Sequence, residues 1–176
     1  MKHFALLAAI TARSVAMAAL GVCLAAPSAG AQDRLGGHFG AVFPLVTHVN
    51  GETVNIGDDF KIGFPTGITV KTSGPYAFDL EFVPVRDRQD NGPLHVSLTV
   101  HPGVLRSLGN QWTAGLRMAF DVNGAAWGFT PLLNKGFPHG GLTYFLEGVV
   151  PIRFQDDIGG ATHTAIGLGV HAGIGF

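Results

Sequence analysis

Residues 94–101 read Leu-His-Val-Ser-Leu-Thr-Val-His, so that Leu94, Val96, Leu98 and Val100 share one phase and His95, Ser97, Thr99 and His101 the other. The same period of two runs through "WTAGLRMAFDV", where Trp112, Ala114, Leu116, Met118, Phe120 and Val122 oppose Thr113, Gly115, Arg117, Ala119 and Asp121. It returns in "THTAIGLGVHAGIGF", which sets Ile166, Leu168, Val170 and Ile174 against Gly167, Gly169, His171 and Gly173. Side chains two apart point the same way only on an extended strand, so this pattern demands β-structure with two unlike faces. Turn signals punctuate it at 49–51, 73–75, 90–92, 108–110, 122–124, 135–140 and 156–160. Between them lie eight candidate strands, near 36–48, 60–72, 76–86, 94–104, 111–122, 125–134, 141–154 and 162–176.

Alternation does not say which face points inward. The polar phase does. It holds Lys61, Asp79, Glu81, Arg117, Asp121, Glu147 and Arg153 among many Gly, Ala, Ser and Thr. A water-facing surface has no need of such small residues, and glycine weakens a strand. The narrow interior of an eight-stranded barrel is filled by its side chains and suits small residues and paired charges. The apolar phase then faces outward. Phe39, Tyr76, Trp112, Tyr144 and Phe176 fall near one end of the strands, and Phe60, Phe82, Phe120, Trp127 and Phe154 near the other. Two aromatic bands bounding an apolar belt free of charge are what a membrane-spanning barrel presents to lipid.

The beginning of the chain fits export. Lys2 and Arg13 precede the apolar stretch "SVAMAALGVCL" (14–24), and Ala29-Gly30-Ala31 offers a small-x-small cleavage motif. The expected organisation is a signal peptide over 1–31 and a barrel domain over 32–176. Cleavage removes Cys23, the single cysteine, and with it any disulfide, thiol nucleophile or thiolate ligand. It also leaves nine Lys and Arg against twelve Asp and Glu, a balance that offers nothing to a nucleic acid. Charged residues make up only 13% of the chain, about half the share usual in soluble domains.

The leader, the eight amphipathic strands and the closing "VHAGIGF" resemble the small OmpA- and OmpX-type outer-membrane barrels. The resemblance is one of pattern along the whole mature chain and carries no identifying motif. It implies an all-β fold, an eight-stranded antiparallel up-and-down transmembrane β-barrel after a cleaved signal peptide. It also implies that Leu168, Val170, Ile174 and Phe176 form a signal read by the outer-membrane assembly machinery. The expected setting is the bacterial outer membrane, with lipid and that machinery as partners and a monomeric state.

Three constellations carry chemistry. The interior charges Lys61, Asp79, Glu81, Arg117, Asp121, Glu147 and Arg153 have the makings of an ion-pair network, since a lone buried charge is costly. Six histidines, His38, His48, His95, His101, His163 and His171, share the polar phase. Antiparallel closure of the first strand on the last predicts His38 near His171 and His48 near His163. No HxH or HExxH spacing occurs, so no metal and no cofactor are assigned. Finally, "HVS" at 95–97 resembles the H-x-S pair of outer-membrane lipid A deacylases, although Leu98 replaces that family's Asn and the pair faces the interior. The leading expectation is a structural or interaction role without catalytic residues. The alternatives are a lipid-modifying hydrolase using His95 and Ser97, and a soluble periplasmic β-barrel or sandwich. Pro44, Pro65, Pro131 and Pro151 lie inside the candidate strands and call for bulges or breaks there.

Overall fold

A computed structural model describes residues 34–87, 95–156 and 162–176. The expected leader, the turn at 90–92 and most of the turn at 156–160 lie outside them. The strands are β1 (Leu35–Val49), β2 (Glu52–Asn55), β3 (Lys61–Gly63), β4 (Thr66–Lys71), β5 (Tyr76–Asp87), β6 (His95–Gly109), β7 (Trp112–Asp121), β8 (Trp127–His139), β9 (Leu142–Val149), β10 (Ile152–Asp156) and β11 (Thr162–Gly175). Every pairing is antiparallel. The second place is shared by β2, β3 and β4, and the seventh by β9 and β10. The eight places close into a ring where β1 pairs β11, from His38 opposite Gly175 to Val49 opposite Ala165.

Alternation orders the two faces of that ring. Leu116, Phe120, Leu133, Leu146, Ile166 and Leu168 are exposed on its outside. Asp79, Glu81, Thr99, His101, Arg117, Thr130, Glu147 and His171 are buried, with Val83, Ala119, Leu132 and Val149 among them. Facing partners across a ladder share a side, so the registers carry this division from strand to strand.

The ring is also staggered. Followed through facing partners, Phe137 of β8 leads to Tyr144, Ile174, Phe39, Thr66, Phe82, Val100, Phe120 and back to β8 at Trp127. One circuit therefore climbs ten residues along β8. With a rise of about 3.3 Å per residue and strands about 4.8 Å apart, eight places sheared by that much tilt roughly 40° from the axis.

The prolines sit where the ladder is already interrupted. Proline lacks the N–H that a ladder needs, and its carbonyl points to the same edge as that missing donor. The Pro84 carbonyl accepts from the Phe64 N–H at 2.9 Å, so its bare nitrogen faces the break between β3 and β4 that contains Pro65. The Pro131 carbonyl accepts from the Val150 N–H at 3.0 Å and so faces the break between β9 and β10 that contains Pro151. Pro44 lies at a bulge in β1, where the register with β11 shifts between Pro44 and Val46.

The boundaries differ from the sequence pattern in three places. The connection at 49–59 contains β2, folded back on β1 through a tight turn with Asn50 and Gly51 at positive φ (53° and 81°). The fourth strand runs on to Gly109, and the sixth to His139. "KGFPHG" thus reads largely as strand: Gly136, Phe137 and Pro138 keep partners in β9, and Gly140 and Gly141 alone make the turn.

Candidate functional site

Arg117 projects from the middle of β7 into the ring and gathers three carboxylates. Its Nε donates to Asp79 Oδ2 at 2.8 Å, and its Nη1 donates to Glu147 Oε1 at 2.9 Å and lies 3.2 Å from Glu81 Oε2. Thr69 donates its hydroxyl to Asp79 Oδ1 at 2.7 Å, and the Asn134 amide donates to Glu147 Oε2 at 3.3 Å. The planar guanidinium suits this task because its fixed fork of donors serves several oxygens at once.

Two histidines complete the layer. His171 Nδ1 donates to Glu147 Oε1 at 3.2 Å. His38 Nδ1 lies 3.8 Å from Asp79 Oδ1, and its Nε2 lies 4.0 Å from Glu81 Oε2. The two imidazole centres are 6.1 Å apart, and the Phe145 ring meets His171 edge-on at 4.8 Å. His38 Nε2, Glu81 Oε2 and His171 Nε2 are buried without a hydrogen-bond partner among the described residues. Counted together, β1, β4, β5, β7, β8, β9 and β11 each give the layer a side chain. Seven of the eight ring places are therefore tied at one level.

Glycines of the same phase make the room. A Cβ on Gly103, which faces Arg117, would stand 2.6 Å from the Arg117 Cγ. One on Gly67 would strike the His38 ring, and one on Gly40 would stand 2.7 Å from His171 Nε2. The small residues of the polar phase are thus the counterparts of particular large ones.

A second layer lies farther along the ring. Arg153 of β10 directs Nη1 to the Phe129 and Ile152 carbonyls and the Thr130 hydroxyl, each at 3.1 Å. Its Nη2 donates to His101 Nε2 at 3.3 Å, and His101 faces Glu81 across the ladder. Nearby, Thr99 donates to Asp121 at 2.8 Å. Asp121 and Arg153 belong to this layer and not to the group around Arg117.

Other expected members are elsewhere. Lys61 pairs with Asp59 at 2.9 Å at the rim, with its side chain 39% exposed, and so stands apart from the central carboxylates. His48 is exposed. The bulge after Pro44 inserts one residue, and every side chain beyond it in β1 changes face. Thr47 consequently faces Gly167 inside, while His48 faces Ile166 outside and shares a hydrogen bond of 2.9 Å with Thr53 Oγ1. His163 is half-buried opposite Gln155. His38 does reach His171, but its facing partner is Gly175. The side chain of His95 lies outside the described residues. Ser97 faces Val85 across the ladder, half-buried. Leu168 and Phe176 are exposed and Val170 and Ile174 half-buried, with the Phe176 backbone bonded in both directions to Gly37 at 2.9 and 3.0 Å.

Phe145, Thr69 and Asn134 were not singled out from the sequence. Thr69 and Asn134 occupy the polar phase beside named residues. Phe145 is a large apolar residue on the polar phase, and its spacing of two from Thr143 and from Glu147 marks it as inward. Below the layer, a cavity of about 430 Å³ opens at the end of the ring where Gly36 and Phe176 meet, with His38, Arg117 and Glu147 at its floor and Thr113, Asn134 and Thr143 on its walls. Among the described residues no group of three or more His, Cys, Asp or Glu is arranged to hold a metal ion. Chemically the layer is a clasp: it binds strands to one another and closes the ring's interior at that level. No protein-family model, no curated protein and no solved structure matches this chain.

Proposed function

We propose that this chain is a small outer-membrane β-barrel protein, with residues 32–176 spanning the bilayer after removal of an export signal at 1–31. Its role is structural or one of interaction in the bacterial envelope, without catalysis. One observation carries this reading: the closed ring is inside out for a soluble protein. Asp79, Glu81, Glu147, Arg117, His101 and His171 are buried, and leucines and phenylalanines such as Phe39, Phe78, Leu116, Leu133, Leu146 and Leu168 are exposed around the whole circumference. An apolar surface that wide marks contact with another apolar phase. Closure leaves no open sheet edge, the condition for strands to cross hydrocarbon.

Lipid supplies that phase. Tyr76, Trp112, Phe137, Tyr144 and Phe176 stand outward near one rim, and Phe60, Phe120 and Trp127 near the other. Leu168, Val170, Ile174 and Phe176 form the alternating closing segment that assembly machinery would read, and the folded unit is a monomer. A soluble sandwich would need the reverse sidedness. A deacylase built on His95 and Ser97 would need a lipid chain to enter the ring, since Ser97 faces inward. The test is fractionation followed by a detergent gel. The protein is expected in the outer-membrane fraction, as a compact band in cold detergent that shifts on boiling. Recovery in the aqueous supernatant without detergent would overturn the proposal.

A further inference from the structure

The two rims differ in charge. Around the rim where β1 begins and β11 ends, the charged residues of the ring are Lys71, Arg106 and Lys135, and among its described residues no Asp or Glu occupies that rim or its outer face. Asp79 and Glu147, the nearest carboxylates, are buried inside the ring. The opposite rim is mixed: Glu52, Asp58 and Asp59 stand there with Lys61, which pairs with Asp59, and with Arg86, exposed near the end of β5.

Two of the three cations are held on the outer face by aromatic residues. The Arg106 guanidinium lies 5.9 Å from the centre of the Tyr76 ring, and Lys135 Nζ lies 5.1 Å from that of Trp112. Contacts of this length are attractive, and the apolar stem of each cation covers ring surface while its head stays at the edge of the apolar belt. Lys135 Nζ also donates to the Asn110 carbonyl at 2.6 Å. That carbonyl belongs to a turn in which Gly109, Asn110 and Gln111 all take positive φ (83°, 50° and 64°). Two non-glycine residues in the left-handed region are a local cost that the surrounding structure has to hold in place. Here the strained turn fixes the height of a cation over an aromatic ring.

We propose that this rim is a binding surface for the headgroups of anionic phospholipids, with Arg106 and Lys135 as its contact cations and Tyr76 and Trp112 as their supports. The inference rests on the membrane reading above. An aromatic residue at headgroup depth beside an exposed cation meets a phosphate on one side and glycerol and upper acyl chain on the other. Charge complementarity selects phosphatidylglycerol-type lipid over zwitterionic lipid, whereas on the opposite rim Glu52, Asp58 and Asp59 stand among the cations and offset them.

The chain's two tryptophans lie on opposite rims and report the two surfaces separately. Protein purified from membranes as the Trp127→Phe variant keeps Trp112 beside Lys135, and the Trp112→Phe variant keeps Trp127. Each is reconstituted in phosphatidylcholine vesicles that carry an equal fraction of either phosphatidylglycerol or phosphatidylcholine with brominated acyl chains. Tryptophan quenching then gives the relative binding constant of each lipid. Trp112 should favour brominated phosphatidylglycerol about threefold or more, and Trp127 should show no preference. The preference should fall when salt is raised to about 0.5 M and vanish when Arg106→Gln and Lys135→Gln are added. Equal quenching by both lipids at Trp112, the same preference at both tryptophans, or a preference that survives the double substitution would overturn the proposal while leaving the membrane reading intact. Quenching of neither tryptophan by either lipid would overturn the membrane reading itself.

Discussion

Arg117 is the residue on which most of the interior depends. The residue is 3% exposed and its guanidinium faces three buried carboxylates, so removing it leaves negative charge without a counter-ion. Breaking a buried ion pair from one side typically costs about 3–5 kcal/mol. Arg117→Met should lower the unfolding free energy by about that much, measured by urea titration of the folded band. Adding Glu147→Gln should restore part of it, and an additive double variant would show that the two residues do not interact. Arg117, Asp79 and Glu81 were readable in the sequence because each lies in a run of uninterrupted alternation, and Glu147 because it is a lone charge in an otherwise uncharged strand. His48 was not, because one inserted residue after Pro44 reverses the face without disturbing the local pattern. Lys61 lies in the right phase, but at the end of a strand, where a long side chain bends to Asp59 in place of reaching the centre. Phe145 was hidden for a third reason: in "TYFLEG" it is a bulky apolar residue on the phase of Thr143 and Glu147, flanked by Tyr144 and Leu146, so hydrophobicity does not separate it from its neighbours.

At the scale of the strand, sequence and structure agree on existence and differ on edges. The eight segments are all present, and the prolines explain where two of them break. Pro65 faces β1 while Pro84 faces Pro65's break, so the missing donors collect at sites that have no ladder to lose. The middle of β7 tests the outer face. Leu116 is half-exposed there, between Val104 and Pro131. Leu116→Arg should cost roughly 2–4 kcal/mol of insertion, read as loss of the heat-shifting band, while Leu116→Ala should keep it. The β2 connection responds to pH instead. The Asn55 backbone and side-chain amides donate to Asp58 Oδ2 at 3.0 and 3.1 Å, and these bonds hold the Asp58 carboxyl below its usual range. A depressed carboxylate stabilises the folded form above its ordinary titration range, and that contribution is lost as pH falls through the lowered value. The Asn55 amide resonance should therefore stay constant from neutral pH down to about pH 5 and move only in stronger acid. Asp58→Asn should abolish that acid transition.

For the molecule as a whole, the stagger of ten residues per circuit sets the angle of every strand. Polarised infrared spectra of the protein in aligned bilayers should give a mean strand tilt of about 40° from the membrane normal. A value near zero would be incompatible with the observed registers. None of this was legible in advance, because stagger is a property of eight registers taken together and each register is set by turns and bulges. The pairing of β1 with β11 has one further consequence. Partners such as His38 and Gly175 are as remote along the polypeptide as any two in the fold, so the last seam to be sewn needs the final strand to have left the ribosome. Until then both free borders hold unpaired backbone donors and acceptors, open to any stranger that offers a strand.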